Sequence, residues 1–174
     1  RFDVSQGKLA MGFTSKLHGS IKEAAALSVF TDIFGGGPYS KLFENVREKQ
    51  SLCYYCSASA RRSKGFVVVD SGIEEVNADK VIKAVLKELE DIKCGKFEDS
   101  VIEASKKSIT DSLLGYYDNA HAIDAWYSRE LNDTTSPEEA VEVVMKVEKR
   151  DIINAAMGVK LHTIYRLLTK GGER

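Results

Sequence analysis

The chain has few cysteines and prolines and no long apolar run, and each shortage excludes a class of protein. Only three cysteines and two prolines occur among its 174 residues, and an odd number of cysteines does not form an even disulfide framework. No apolar run approaches the ~18 residues needed to span a bilayer. With 25 basic and 26 acidic residues the net charge is -1, and no basic arm indicates nucleic-acid binding. We therefore expect no membrane span, no nucleic-acid partner and a reducing, cytoplasmic location.

Length and composition predict one folded domain that covers residues 1–174. The hydrophobic content of 43% is ordinary for a chain that buries a core. The chain opens on Arg1 instead of methionine and has no signal-like start. We expect it to be a piece of a longer protein, whose preceding part carries a localisation signal or half of an active site.

Hydrophobic periodicity predicts strands and helices that are segregated along the chain. Alternating apolar positions predict four strands, and apolar stripes of helical period predict a larger set of helices. The predicted strands are 8–14, 52–60, 65–72 and 160–169; the predicted helices are 21–34, 38–47, 78 to about 94, 97–117, 120–131, 137–147 and 149–156. This order favours an α+β fold, a mostly antiparallel sheet with helices packed on one face.

Two details of this pattern predict local structure. Asn77 is a good N-cap for the helix that follows it, and Ser136-Pro137-Glu138-Glu139 is typical of a capped helix start. The polar connection 61–65, which ends in glycine, predicts a hairpin between the second and third strands.

The most distinctive segment is a glycine loop, Gly35–Gly37, followed by Pro38 and a short helix. Arg47 falls near the end of that helix, and Tyr54 follows seven residues later in an apolar run. This places one guanidinium and one phenol where they converge on a single polar group, and both donate hydrogen bonds. The plainer interpretation is a solvated cation at a helix end and a surface tyrosine on a strand.

The glycine loop also has a phosphate-binding interpretation, which its sequence does not favour. It lacks the G-x-x-x-x-G-K-S/T pattern, and Pro38 removes a donor from the following helix start. Three adjacent glycines are better explained by a flexible loop or by a close approach of the backbone to another segment.

Cys53-Tyr54-Tyr55-Cys56 forms a C-x-x-C pattern, but zinc or redox chemistry needs more than this spacing. A zinc site needs a second pair of ligands, and Cys94 and the three scattered histidines do not supply one. A redox C-x-x-C opens a helix, whereas this one lies in a strand, where an offset of three puts the sulfurs on opposite faces. We expect buried or half-buried free thiols and no metal ligand in this chain.

The segment from Gly35 to Tyr54 resembles the pitrilysin/insulinase family of zinc metallopeptidases, the inverzincins. The matching elements are the glycines, Ser40-Lys41-Leu42-Phe43, Arg47, Tyr54 and the predicted hairpin. The resemblance implies α+β domains used in pairs. The first domain of a pair carries H-x-x-E-H and binds zinc, and a later domain carries the glycine loop, the arginine and the tyrosine.

On this resemblance, Arg47 and Tyr54 are substrate-binding residues. They would approach the carbonyl of a peptide opposite a zinc ion in a companion domain or subunit, with a glutamate of that domain as general base. The peptide would also add to a strand edge. Since the chain has no H-x-x-E-H, the resemblance implies no catalytic residue and no activity for this chain alone.

Several alternatives stay open. The chain is either a domain cut from a longer catalytic chain or a domain of a non-catalytic partner subunit, and the segment 47–55 looks more like the bacterial partner-subunit type. A rival function is a catalytically silent, peptidase-like module for structure or protein interaction. A nucleotide-binding domain is a third alternative, which rests only on the glycines.

Overall fold

The computed structural model describes residues 6–16, 20–61, 65–129 and 135–167. Four strands are present in this part of the chain: β1 (Gly7–Thr14), β2 (Cys53–Arg61), β3 (Phe66–Ile73) and β4 (Lys160–Leu167). The α-helices are α1 (Ile21–Gly35), α2 (Ala78–Lys93), α3 (Asp99–Leu114), α4 (Ala120–Arg129), α5 (Pro137–Met145) and α6 (Lys149–Gly158). A π-helix (Phe43–Glu48) precedes β2.

The strands form one antiparallel sheet in the order β2-β3-β1-β4. This confirms the predicted α+β class and places β4 beside β1. Leu9, Met11 and Phe13 alternate along β1 and are fully buried in the core that the helices complete. The edge strand β4 is exposed along nearly its whole length. No helix in the described ranges is long and apolar enough to cross a bilayer.

The apolar periodicity of the sequence is enough to predict helix α2. The predicted stripe packs into the core, where Val81, Val85, Leu89 and Ile92 are buried. The helix ends at Lys93, directly before the predicted stop at Cys94-Gly95, and the φ of Gly95 is +72°, in the left-handed region that glycine adopts without strain.

The prediction that the Asn77 side chain caps α2 is wrong, although α2 begins where expected. A 3₁₀ turn (Glu75–Asn77) runs directly into the helix, so Asn77 has a helical backbone with φ -95° and ψ -6°. A side-chain cap needs an extended backbone at this position, and the Asn77 side chain makes no capping hydrogen bond.

Other predicted boundaries differ by a few residues. The predicted helix 97–117 is shorter, since α3 ends at Leu114 and a 3₁₀ turn (Gly115–Asp118) follows. The hairpin is confirmed by the pairing of β2 with β3 and by Gly65, whose φ is +64°. The predicted ends of the helix 120–131 and of the strand 160–169, and the middle of the hairpin loop, lie outside the described residues.

Helix α5 begins with a complete capping box, as its sequence predicts. The Ser136 hydroxyl accepts a hydrogen bond from the Glu139 backbone N–H at 3.2 Å, and the Glu139 carboxylate accepts one from the Ser136 N–H at 2.9 Å. Two backbone donors that the helix itself leaves without partners are thereby satisfied.

Replacing the cap should lower stability by a modest, measurable amount. We expect Ser136→Ala to reduce the free energy of unfolding by about 1 kcal/mol, measured as the shift of the denaturant midpoint at unchanged slope. The matched control is Ser112→Ala. Ser112 lies in the interior of α3 and bonds only back to the Ser108 carbonyl, so its loss should be nearly neutral. Equal effects of the two variants would contradict the assigned cap.

Candidate functional site

The segment that follows the glycines is wound so that Arg47 faces outward. Ser40 is buried and its hydroxyl accepts a hydrogen bond from the Phe43 N–H at 3.4 Å, which starts the turn. The π-helix then buries Val46 in the core, and Arg47 lies next to it at the surface. One-turn π-helices are frequent at functional sites, because the extra residue changes which side chains share a face.

Three contacts hold the Arg47 guanidinium in one orientation. Its Nε donates a hydrogen bond to the Tyr54 carbonyl oxygen at 2.9 Å, and its Cζ lies 4.6 Å from the centre of the Phe43 ring. Nη1 lies 3.3 Å from the Glu48 carboxylate, and the side chain is 38% exposed. Within the described residues these contacts use Nε and Nη1, which leaves Nη2 to reach a bound group.

Tyr54 lies in a β-bulge that turns its side chain to solvent. Cys53 is opposite Ile73 on β3 and Tyr55 is opposite Gly72, so Tyr54 is the extra residue without a partner. Its ring is 55% exposed, and its hydroxyl donates a hydrogen bond to Glu74 at 3.3 Å. Our sequence reasoning missed Glu74, for which the only signal was an acidic residue directly after a strand.

Arg47 and Tyr54 lie where two surface clefts meet. One cleft of about 380 Å³ also includes the Glu74 carboxylate. The other, of about 310 Å³, extends to the glycine loop Gly35–Gly37. The structure therefore brings the predicted glycines, the arginine and the tyrosine to one surface. At this surface the guanidinium presents Nη2, and the phenol donates its one proton to Glu74.

The glycines are needed for close packing, and none of them adopts a left-handed backbone. A Cβ on Gly35 would lie 2.5 Å from the Ala58 backbone nitrogen on β2. A Cβ on Gly36 would lie 2.1 Å from the Asp32 carboxylate. This agrees with the interpretation of a close-approach loop, because α1 ends directly against β2.

Asp32 and Tyr39 brace the two ends of the glycine loop, and sequence reasoning missed this pair. The Tyr39 hydroxyl donates a hydrogen bond to the Asp32 carboxylate at 2.5 Å. Burial raises the pKa of Asp32 above its ordinary value of 3.8, and the bond from Tyr39 opposes that rise. Burial and the Asp32 contact together raise the pKa of Tyr39 to about 12.

The C-x-x-C pair lies differently from our sequence prediction. We expected the two sulfurs on opposite faces of the strand, but the extra residue at Tyr54 shifts Cys53 onto the face of Cys56, since Cys53 pairs with Ile73 and Cys56 with Ser71. All three cysteines are free; Cys56 is buried and Cys53 half-buried, but Cys94 is exposed, contrary to expectation. No cluster of three or more potential metal ligands occurs among the described residues.

Fold and site together define the class: an α+β domain with a guanidinium and a phenol at an open surface cleft. The chain belongs to the family described as the Peptidase M16 inactive domain, which matches residues 1–109. This match covers the glycine loop, Arg47, Tyr54 and the hairpin, and it confirms the resemblance to the pitrilysin/insulinase metallopeptidases.

Two relatives support this assignment, and one further structure shares the fold. A probable inactive metalloprotease, YmfF of Bacillus subtilis, is 35% identical over 98% of this chain and 40% of its own length. A conserved protein of Enterococcus faecalis has a TM-score of 0.89 at 31% identity, over 99% of this chain and 41% of its own. The inactive peptidase domain of a putative zinc protease from Bordetella parapertussis shares the fold, with a TM-score of 0.75 at 13% identity over 99% of both chains. The chain thus spans about 40% of the relatives from Bacillus and Enterococcus.

A methyl group at Gly35 should destabilise the domain, because it would meet backbone atoms of β2. We expect Gly35→Ala to lower the free energy of unfolding by about 1–3 kcal/mol in denaturant titrations. Gly115→Ala is the matched control, since nothing lies within 4 Å of its added Cβ and its φ is -62°. That control should be neutral or slightly stabilising. A neutral Gly35→Ala would disprove the close packing of α1 on β2.

Tyr39→Phe should destabilise the protein in a pH-dependent way. The ionised Asp32 carboxylate loses a donor, at a cost of about 1 kcal/mol for this partly exposed group. A raised folded-state pKa means that a neutral Asp32 favours folding below its ordinary pKa of 3.8, and that this benefit is lost as pH rises through the folded-state pKa. The loss of free energy of unfolding caused by Tyr39→Phe should therefore be largest at neutral pH and become smaller in acid. A deficit independent of pH would show that Asp32 is not the partner that matters.

Proposed function

We propose that this domain binds peptide substrates for a zinc metallopeptidase system. Arg47 and Tyr54 would donate hydrogen bonds to the carbonyl oxygen of the bound peptide, across from a zinc site held by a companion domain or subunit; the Tyr54 hydroxyl would turn from Glu74 to do so. The observation that carries this proposal is the fixed Arg47 guanidinium beside an exposed phenol on an open cleft. Membership of a peptidase family supplies the reaction to which such donors belong.

The part of the chain that the structure describes is unsuited to hold the zinc ion. The sequence contains no H-x-x-E-H, and the described residues form no cluster of three or more ligands. When bound in the companion, zinc would supply an activated water. The role of this chain is to bind the carbonyl, orient it and resist the change in charge on its oxygen.

The sheet edge offers a second way to hold a peptide. β2 is an edge strand of the sheet, and Tyr54 lies at its start. A peptide added alongside β2 would pair through its backbone, which gives affinity without strict sequence preference. Glu74 would then accept a hydrogen bond from a substrate N–H group or pair with a basic side chain.

The rival function is a catalytically silent module for structure or protein interaction. It is supported by the description of the family as an inactive domain and by the name of the Bacillus subtilis relative. The same names favour zinc on a separate chain, so we expect the full-length parent to hold well under one zinc ion per chain. One zinc per chain would instead place the metal site in the same polypeptide. The three free thiols favour a reducing compartment such as the cytoplasm.

Substitutions of the two donors should slow peptide turnover by the assembled full-length system. We expect Arg47→Ala and Tyr54→Phe each to lower kcat/KM by roughly ten- to a thousandfold, the range for losing one such donor. Tyr54→Phe is the sharper test, because it removes only the hydroxyl and leaves the carbonyl that Arg47 binds.

The control variants are Arg150→Ala on α6 and Tyr127→Phe on α4. Both side chains are exposed and lie outside the two clefts, so turnover should stay unchanged. Thermal unfolding of every variant separates a lost donor from a lost fold. If both donor variants turn over peptide at the wild-type rate while the assembly stays intact, the proposed substrate-binding role is wrong. The catalytically silent module would then be the function that remains.

A further inference from the structure

The buried stripe of α2 contains one charged side chain, Glu88. It lies three residues after Val85 and four before Ile92, at a position that the helical period assigns to the core. Its side chain is 3% exposed. Burying a carboxylate is costly unless it is paired and hydrogen-bonded, and an apolar residue would fill the same position at lower cost. The partners of Glu88 therefore indicate what the charge is for.

The carboxylate of Glu88 is bonded to the segment that carries Arg47. Its Oε2 accepts a hydrogen bond from Asn45 Nδ2 at 2.7 Å and lies 3.6 Å from Lys41 Nζ. Lys41 lies just before the π-helix and Asn45 within it. The other oxygen, Oε1, lies 3.7 Å from Lys87 Nζ on α2 itself. Two of these three partners thus connect α2 to the segment with Arg47.

Asn45 links this contact to the irregular winding of the π-helix. Its Oδ1 accepts a hydrogen bond from Lys49 Nζ at 3.0 Å, and its backbone carbonyl accepts one from Gln50 Nε2 at 2.7 Å. Arg47 follows two residues later and bonds to the Tyr54 carbonyl on β2. The π-helix is therefore held on α2 through Asn45 and on β2 through Arg47.

The place of the Arg47 guanidinium depends on what holds the π-helix. Of its three contacts, Phe43 and Glu48 belong to the same helix and move with it; the Tyr54 carbonyl belongs to another element. The burial of Val46 holds the helix against the core but is not directional. A hydrogen bond of 2.7 Å is directional, so the bond to Glu88 also fixes the rotation of the helix.

We propose that Glu88 is a positioning residue for the carbonyl-binding site. Its buried carboxylate fixes the π-helix through Asn45 and Lys41 and thereby sets where the Arg47 guanidinium lies. Glu88 lines neither of the two clefts, so it acts through Arg47 and touches no substrate. Its effect on turnover rests on the peptide-binding function proposed above, whereas its effect on the orientation of Arg47 does not.

The first test is a double-substitution cycle in the assembled full-length system. We expect Glu88→Ala to lower kcat/KM by about ten- to a hundredfold, because a small displacement of a donor is costly in rate. In an Arg47→Ala background the same substitution should change kcat/KM by less than about twofold, since the group it positions is gone. A purely structural role would lower turnover equally in both backgrounds. The matched control is Asp91→Asn on α2, a carboxylate that pairs with Lys87 and Lys96 and should leave turnover unchanged.

The second test observes Arg47 without turnover. In the full-length parent labelled with ¹⁵N-arginine, the Nε–H signal of Arg47 is identified by its loss in Arg47→Lys. The bond to the Tyr54 carbonyl protects this proton from exchange with water. We expect Glu88→Ala to broaden the signal by faster exchange and Asp91→Asn to leave it unchanged. Glu88→Gln keeps an acceptor for the Asn45 side chain and should recover part of the signal and of the turnover.

The two readouts separate this inference from the proposed function. If Glu88→Ala does not fold, Asn45→Ala removes the same hydrogen bond from the half-buried side and is judged by both readouts. An unchanged Arg47 signal, or an equal loss of turnover with and without Arg47, would overturn the positioning role. If Arg47→Ala itself keeps wild-type turnover, the peptide-binding proposal is wrong, and the Arg47 signal alone then decides the role of Glu88.

Discussion

The β-bulge at Tyr54 is the constraint on which the site depends. Inward-facing positions alternate along β2 at Cys56, Ala58 and Ala60, and a regular strand would also turn Tyr54 inward. The extra residue exposes that ring and places Cys53 on the same face as Cys56. The bulge is held by its neighbour Tyr55, whose ring lies so close to Gly72 that a Cβ there would be 2.5 Å from a ring carbon. A larger residue opposite Tyr55 would therefore displace the ring and the bulge together.

A second irregularity faces the first across the cleft. The π-helix that carries Arg47 also holds one residue more than a regular turn, and Ser51 has a φ of 50°, uncommon for a residue other than glycine. The hydrogen bond from Arg47 to the Tyr54 carbonyl joins the two irregular segments. An unfavourable local backbone conformation persists where the surrounding packing compensates for its free-energy cost. Here the burial of Leu42 and Val46 supplies that compensation.

Local signals in the sequence were enough to predict the elements. The stripe of α2 and the capping box at Ser136 depend on neighbours within one or two turns, and both are confirmed. The contacts of the site depend on segments distant in the chain. The offset of Cys53 and Cys56 was misread because the bulge is set by β3, and Asn77 failed as a cap because a preceding turn had already made its backbone helical. Spacing and family resemblance could single out Arg47, but no periodicity shows which carbonyl it binds.

The exposure of the donors argues that the proposed site works only when it is covered. A hydrogen bond from a half-exposed group in water adds about 0.5–1.5 kcal/mol, because the group exchanges one partner for another. The Arg47 side chain is 38% exposed and the Tyr54 side chain 55%, so the cleft of this chain alone gives a carbonyl oxygen little advantage over solvent. Excluding water strengthens each interaction, and donors already fixed by other contacts need no reorganisation when charge develops. Arg47 is fixed in this way by Tyr54 and Phe43. The chain spans about 40% of the length of these relatives. Its oriented donors would therefore bind a carbonyl strongly only when a companion surface covers the cleft and excludes water.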